Sequence, residues 1–390
     1  MRILAAVGSF KDVYNSIDSC AMVRKLLESE HEVSCLPVCD GGEYTLDILS
    51  SFFGEKARIE KAEHICNPYG EERAAHYLTA DGAAYIVSAE ILHLAPEEDR
   101  FKDPRILTDY GLGQLIADAV GKGFRKIRLC LGGTSTIGYG IGTAQALGAV
   151  FFDRSGRRMT APLCPWNFTE IASVQWPEEE YSSVELSVIN DGITRACDLA
   201  TVNPLKIGNA YRSESRKILE EIHVACDAVY RFTHLAPEDA WSGNGGGVYF
   251  GVERIFHPKY YKGADYFCDL FGLEAAMENA DLVITGEGRF DNPHLKKIPV
   301  VVAERAKAQG KPVTFVCGQL APEWKQRCRM ASPGVWSSEE LSKTFGIGRI
   351  LSCTEYYEAN RIPPEEAAKL YGELTPKILK ERFQQIGVLS

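Results

Sequence analysis

Ala280-Asp281-Leu282-Val283-Ile284-Thr285-Gly286-Glu287-Gly288-Arg289-Phe290-Asp291 passes from the apolar Leu282-Val283-Ile284 into two glycines interleaved with Glu287 and Arg289. With three apolar residues, Leu282-Val283-Ile284, at its centre and glycine after it, Asp281 to Thr285 reads as a strand of a parallel sheet. Gly286-Glu287-Gly288-Arg289 then reads as a loop in which the glycines let backbone come close to a ligand. Arg289 can clamp a carboxylate or phosphate bidentately. The plain alternative is a surface pair of Arg289 with Asp291, worth under about 1 kcal/mol.

The same rhythm recurs on either side. Ile3 to Val7 reads as a strand ending in Gly8-Ser9-Phe10-Lys11, and helical spacing follows from about Ser16 to Glu28. Glu32 to Leu36 is a second strand, and the loop Asp40-Gly41-Gly42-Glu43 opens onto a helix at Thr45 to Leu49. A helix over Thr108 to Val120 leads to the strand Lys126 to Leu131, then to Gly132-Gly133-Thr134-Ser135-Thr136 and a helix of small residues ending near Leu147. Toward the C-terminus come a helix at Val300 to Gln309, strands at Pro312 to Cys317 and Ile347 to Ser352, and a helix at Pro363 to Phe383. Two stretches break this pattern. Lys56 to Glu90 holds short extended runs between turn signals such as Asn67-Pro68 and Asp81-Gly82, which predicts antiparallel strands. From about Phe151 to Phe271 the periodicity weakens around a glycine cluster at Gly243 to Gly247. The predicted fold is α/β with two domains. A doubly wound, Rossmann-like parallel-sheet domain is assembled from 1–55, 96–150 and 272–390, and a mixed α/β domain, 56–95 and 151–271, is inserted into it.

Composition narrows the function. The chain has 390 residues, 45% hydrophobic and 25% charged, as globular proteins are. With 53 Asp plus Glu against 43 Lys plus Arg, the net charge of −10 gives no general attraction to nucleic acid or anionic lipid. The 12 cysteines are scattered, and the nearest pair, Cys35 and Cys39, lacks the spacing of a redox or zinc motif, so reduced thiols are expected. The 8 histidines show no zinc-ligand spacing. The apolar start at Ile3 to Val7 is too short for a signal peptide and no window reaches membrane-span length, so a cytoplasmic protein is expected, with no membrane or nucleic-acid partner.

The four glycine loops each follow a predicted strand, and in an open parallel sheet such strand ends share the edge where ligands collect. Each loop alone could be only a tight turn. Gly132 to Thr136 offers backbone N–H groups, hydroxyls and a helix start to a phosphate, yet no Gly-Lys-Ser or Gly-Lys-Thr follows, so it is not a P-loop. Asp40 and Glu43 could bind hydroxyls or Mg²⁺, or Asp40 could cap the next helix. Asp191 and Asp198 lie near Gly192 and Asn203-Pro204-Leu205, where acids are commonly local hydrogen-bonders.

Taken in order, Ser9-Phe10-Lys11, Leu36 to Thr45, Gly132 to Thr136 continuing through Gln145-Ala146-Leu147-Gly148, and Ala280 to Asp291 resemble the glycerate kinase family, which phosphorylates glycerate from ATP. The resemblance runs from Ile3 to about Gly318. It implies a two-domain α/β kinase with glycerate, ATP and Mg²⁺ in an interdomain cleft. By analogy Lys11 would neutralise transferred phosphate, Arg289 would hold the substrate carboxylate or a phosphate, and Asp40 and Glu43 would bind hydroxyls or metal. Ser9, Glu287 and Asp291 would complete the substrate contacts, and Gly132, Gly133, Thr134, Ser135 and Thr136 would cradle phosphate. The oligomeric state stays open.

The departures are specific. Gly8 stands where the family has Asp, and Asp12 where it has Gly. Ile137-Gly138 replaces an Asn-Asp, Lys296-Lys297-Ile298-Pro299 replaces a Gly-Lys-Ala/Thr-Pro, and the family's Cys-Asp-Val acid matches either Asp191 or Asp198. Asp12 or Asp191 would then take over a missing catalytic role. Two other readings stay open: the same chemistry on a different small hydroxy acid, and a small-anion binding or regulatory protein that has lost phosphoryl transfer.

Overall fold

The computed structural model describes residues 1–10, 13–177, 180–198 and 207–390. Lys11, Asp12 and Asn203-Pro204-Leu205 lie outside them. The described chain divides into two compact units, 1–40 with 263–390, and 41–262.

The first unit holds a seven-stranded sheet in the order Arg329–Ser332, Val335–Ser337, Ile347–Ser352, Val313–Leu320, Leu282–Phe290, Arg2–Ala5, Glu32–Cys35. The last five strands of that order are parallel, and the first two are an antiparallel edge. Strand alternation explains the doubly wound architecture. Leu4, Ala6 and Val283 face one buried cluster, with Leu273, Met277, Val301 and Phe345. Ile3, Ala5, Val7 and Ile284 face another, with Val23, Leu27, Ile378 and Phe383. Helices therefore cover both faces: Ser16–Leu27 and Pro364–Gln385 on one, and Leu273–Glu278, Ile298–Ala308 and Glu339–Phe345 on the other.

The second unit holds a six-stranded sheet in the order Lys259–Lys262, Glu185–Asn190, Lys126–Leu131, Ala83–Val87, Glu72–Ala80, Arg58–Cys66. Its first four strands are parallel, and the last two join as the antiparallel meander expected from Lys56 to Glu90. The 19-residue helix Ser215–Thr233 lies in the stretch whose periodicity looked weak, and it buries Ile218, Ile222, Ala225, Cys226 and Val229 on one face.

The boundaries expected from sequence differ from this partition. Residues 96–150 were expected with the chain termini, yet Lys126–Leu131 is hydrogen-bonded between Ala83–Val87 and Glu185–Asn190 in the second sheet. Residues 41–55 go with them, since the ring of Phe53 packs on Tyr85 at 5.6 Å. Residues 263–271 belong to the first unit. One continuous insertion thus replaces two.

Candidate active site

In the first unit, Gly286 to Arg289 is strand where a loop was expected. The ladder to Val313–Leu320 continues through Arg289 against Gln319 and Phe290 against Leu320. Phe290 anchors the strand end, wholly buried with edge contacts to Phe315 at 4.9 Å and Trp324 at 5.9 Å. The Trp324 indole N–H also donates to the Asp291 carbonyl at 2.6 Å. On the other side Gly8 N–H donates to Gly286 O at 2.8 Å, and Gly288 N–H to Ser9 O at 3.3 Å. Ser9 is thereby held against Glu287 and Arg289, whose side chains share one face by strand alternation.

Glu287 is the electrostatic centre of this edge. Burial pushes its carboxyl up from 4.5 to about 7, Lys297 lowers it, and the neighbouring charges of Asp291 and Asp40 raise it. Lys297 Nζ stands 3.9 Å from Glu287 and 3.4 Å from Asp291. Asp291 therefore takes Lys297 as its cation, and the surface pair with Arg289 weighed from sequence is not the one formed. The Arg289 side chain is exposed and has no hydrogen bond or ion pair among the described residues. Lys297 was missed as a site residue because it reaches Glu287 only through the turn at Pro293–Leu295, which sequence spacing does not reveal.

In the second unit, the strands Lys126–Leu131 and Glu185–Asn190 end side by side, and their continuations meet. Asp191 N–H donates to Leu131 O at 3.3 Å. A Cβ on Gly132 would lie 2.5 Å from Gly42 Cα and 3.0 Å from Asp191 Oδ2, so the backbones of the Gly41 and Gly132 loops touch at a place only glycine fits. Glu43 reaches Gly133 from the same side, its Cγ 3.5 Å from a Cβ placed there, and its carboxylate stands 4.0 Å from His93 Nδ1. Asp198 instead holds Arg195 through two 2.8 Å bonds on the surface. Of the two acids that sequence left ambiguous, Asp191 stands at the glycine loop.

The Gly132 loop is pinned at both ends of its first half. Ser88 Oγ donates to Gly132 O at 3.0 Å and accepts Gly132 N–H at 3.2 Å, and Ser135 N–H donates to Leu92 O at 2.8 Å. Ser135 and Thr136 are buried, whereas Gly133 and Thr134 reach the surface. No acceptor pairs with the Gly133 N–H among the described residues. Gly132→Ala is expected to lower stability by about 1–3 kcal/mol, the range for overpacking. A reduced melting temperature checks it, and an unchanged one would mean that the loops separate at no cost.

No group of three His, Cys, Asp or Glu converges as a metal cage among the described residues. All twelve cysteines are free. No helix is long and apolar enough to cross a membrane among the described residues.

The fold and these two strand edges define an α/β protein of two units, one carrying a carboxyl poised near neutrality beside an uncommitted arginine, the other a glycine loop with an available N–H beside a carboxylate. The model of the glycerate kinase family matches residues 3–205 and 211–342, and the chain belongs to that family. It is 28% identical to a glycerate kinase of Neisseria meningitidis serogroup B (strain ATCC BAA-335 / MC58) over 336 residues, 83% of this chain and 87% of that one. It is 27% identical to glycerate 2-kinase of Escherichia coli (strain K12) over 350 residues, 83% and 86% of the two chains. A solved structure from Salmonella typhimurium LT2, provisionally named glycerate kinase 2, aligns with a TM-score of 0.65 at 26% identity, covering 82% of this chain and 87% of that one.

Proposed function

We propose that the protein is an ATP-dependent kinase that phosphorylates a hydroxyl of glycerate. Family membership sets the reaction class. The observation that carries the residue roles is Glu287, a carboxyl lifted to about 7 two residues from an unpaired, exposed Arg289. A general base works best with its pKa near the working pH. Glu287 takes the proton of the attacking hydroxyl, and Arg289 holds the substrate carboxylate. Ser9, Asp40 and Asp291 surround the hydroxyls, and Lys297 holds the Glu287 carboxyl below where burial alone would put it, so that it gives up its proton near pH 7. Lys11 neutralises the transferred phosphate.

Gly133 N–H and Thr134 receive phosphate oxygens of ATP, with Gly132, Ser135 and Thr136 shaping the loop and Glu43 flanking it. Mg²⁺ in a phosphoryl-transfer site keeps few protein ligands, and Asp191, an exposed carboxylate beside the phosphate loop, fits that need. When bound, Mg²⁺ neutralises charge on the phosphates. The all-thiol cysteine set suits action in the cytoplasm. Phosphorus NMR of protein with ATP, Mg²⁺ and D-glycerate tests the reading. A new phosphomonoester signal growing with ADP is expected, and ATP that stays intact would contradict it.

A further inference from the structure

Asp109 precedes the helix Tyr110–Gly121, where an Asp ordinarily accepts the N–H groups of its own first turn. Its side chain makes no such bond, and Thr108 Oγ1 accepts the Tyr110 N–H instead, at 3.2 Å. The Asp109 carboxylate crosses to a segment more than thirty residues away. Oδ2 accepts the N–H of Gly140 and Oδ1 that of Thr143, each at 2.8 Å, while the Thr143 hydroxyl donates to Asp109 O at 3.0 Å. The residue is wholly buried. Two glycines leave room for it: a Cβ on Gly138 would lie 2.4 Å from Oδ2, and one on Gly142 would lie 2.8 Å from Oδ1.

We propose that Asp109 is the positioning residue of the glycine loop. It ties the end of Gly132–Gly140 to the helix Ile141–Ala146, so that Gly133 and Thr134 present a fixed shape to a phosphate. The other pins are the Ser88 bonds at Gly132, the Ser135 bond to Leu92 O, and a 3.0 Å bond from Tyr139 N–H to Gly246 O. Within the turn itself Ile141 N–H donates to Gly138 O at 3.0 Å, and the N–H groups of Gly140 and Thr143 are taken by Asp109. Burying a carboxylate without a cation is costly, and burial raises this carboxyl to about 6 while the two backbone N–H groups hold it down. Such a cost is kept where geometry has to be fixed. The same contact explains why position 138 is glycine: any Cβ there would lie 2.4 Å from Asp109 Oδ2, so an acid mounted at 138 would enter the space that the Asp109 carboxylate fills.

The inference rests on the phosphate-loop reading of Gly132 to Thr136, and the test separates the two. Amide hydrogen exchange on the ligand-free protein is compared between wild type and Asp109→Asn. Exchange at Gly140, Thr143 and the 132–139 loop is expected to accelerate at least tenfold; unchanged exchange overturns the positioning role whatever the activity. In turnover assays Asp109→Asn is expected to raise KM for ATP about tenfold and leave KM for D-glycerate within twofold. Equal changes in both would reduce Asp109 to a general structural role and overturn the proposal. Moving the carboxylate with the pair Asp109→Ser and Gly138→Asp is expected to restore slow exchange and the ATP KM to within threefold. Failure of that pair to improve on Asp109→Ser alone would contradict the shared-place geometry. A wild-type protein that neither turns over nor binds ATP would sink the phosphate-loop reading, while the exchange data still decide the positioning.

Discussion

Glu287→Gln lowers kcat by about 10²- to 10⁴-fold, the range that a positioned general base supplies, and removes the acidic inflection near 7 from the pH–rate profile. The direction of that inflection follows from the site. Burial and the charges of Asp291 and Asp40 favour the protonated carboxyl, and Lys297 opposes them. Activity therefore rises as pH climbs through about 7 and Glu287 loses its proton. Lys297→Met takes away the opposing charge and moves the inflection upward. Stability moves the other way. A carboxyl whose folded pKa is raised binds its proton more tightly in the folded chain, so its cost is absent below the unfolded value of 4.5 and grows as pH rises to about 7. At ~1.4 kcal/mol per pH unit, the full cost is about 3 kcal/mol. Glu287→Gln thus melts higher than wild type at pH 8 and no higher at pH 4, while turning over far more slowly. A variant as active as wild type, with the same pH profile, would show that Glu287 is not the base.

Arg289→Ala is the second large effect. A hydrogen bond to a charged group contributes about 1.5–3 kcal/mol, and a bidentate guanidinium–carboxylate contact stands at the upper end. Loss of about 10²-fold in kcat/KM for D-glycerate is expected, dominated by KM. Because Arg289 is exposed and has no protein partner among the described residues, the variant folds with an unchanged melting temperature. Arg289→Lys recovers only part of the loss, since an ammonium cannot reproduce the planar fork. Calorimetric titration of D-glycerate into both variants measures this, and wild-type affinity in Arg289→Ala would remove the residue from the substrate site.

The parts of this fold that were legible in the sequence are those set by local pattern. Lys126–Leu131 and Ile347–Ser352 stand where apolar runs bounded by charge or glycine put them. Their sheet membership was not legible, because a run buried on both faces says that neighbours cover it and not which strands they are. The local pattern therefore groups Lys126–Leu131 with the terminal segments, whereas its ladder partners are Ala83–Val87 and Glu185–Asn190. Gly286 to Arg289 looked like a loop because glycine weakens a strand locally, and the decisive partner, Gln319-Leu320, is thirty residues away. The helix Ser215–Thr233 kept its apolar spacing among charged residues but was masked by the Trp, Pro and Gly around it.

The site divides the same way. Glu287, Arg289, Asp191 and the Gly132 loop could be named because they end strands and stand beside glycines. Lys297 stood out only as part of Lys296-Lys297-Ile298-Pro299, with no role attached, and Asp109 not at all, since each acts across a turn or between helices on a group that sequence distance hides. Asp109 would also pass for an ordinary helix cap. Of Ser135 and Thr136, sequence shows hydroxyls, but only the packing shows that they point inward.

The central claim, phosphoryl transfer from ATP to glycerate, is tested most directly by ADP release from purified protein with ATP and Mg²⁺ against a panel of small hydroxy acids, with Arg289→Ala as control. Release on D-glycerate that falls about 10²-fold in the variant at subsaturating substrate is the predicted result. Release only on a different hydroxy acid would contradict the substrate. No release on any member, from folded protein that still binds a small anion, would contradict the kinase itself.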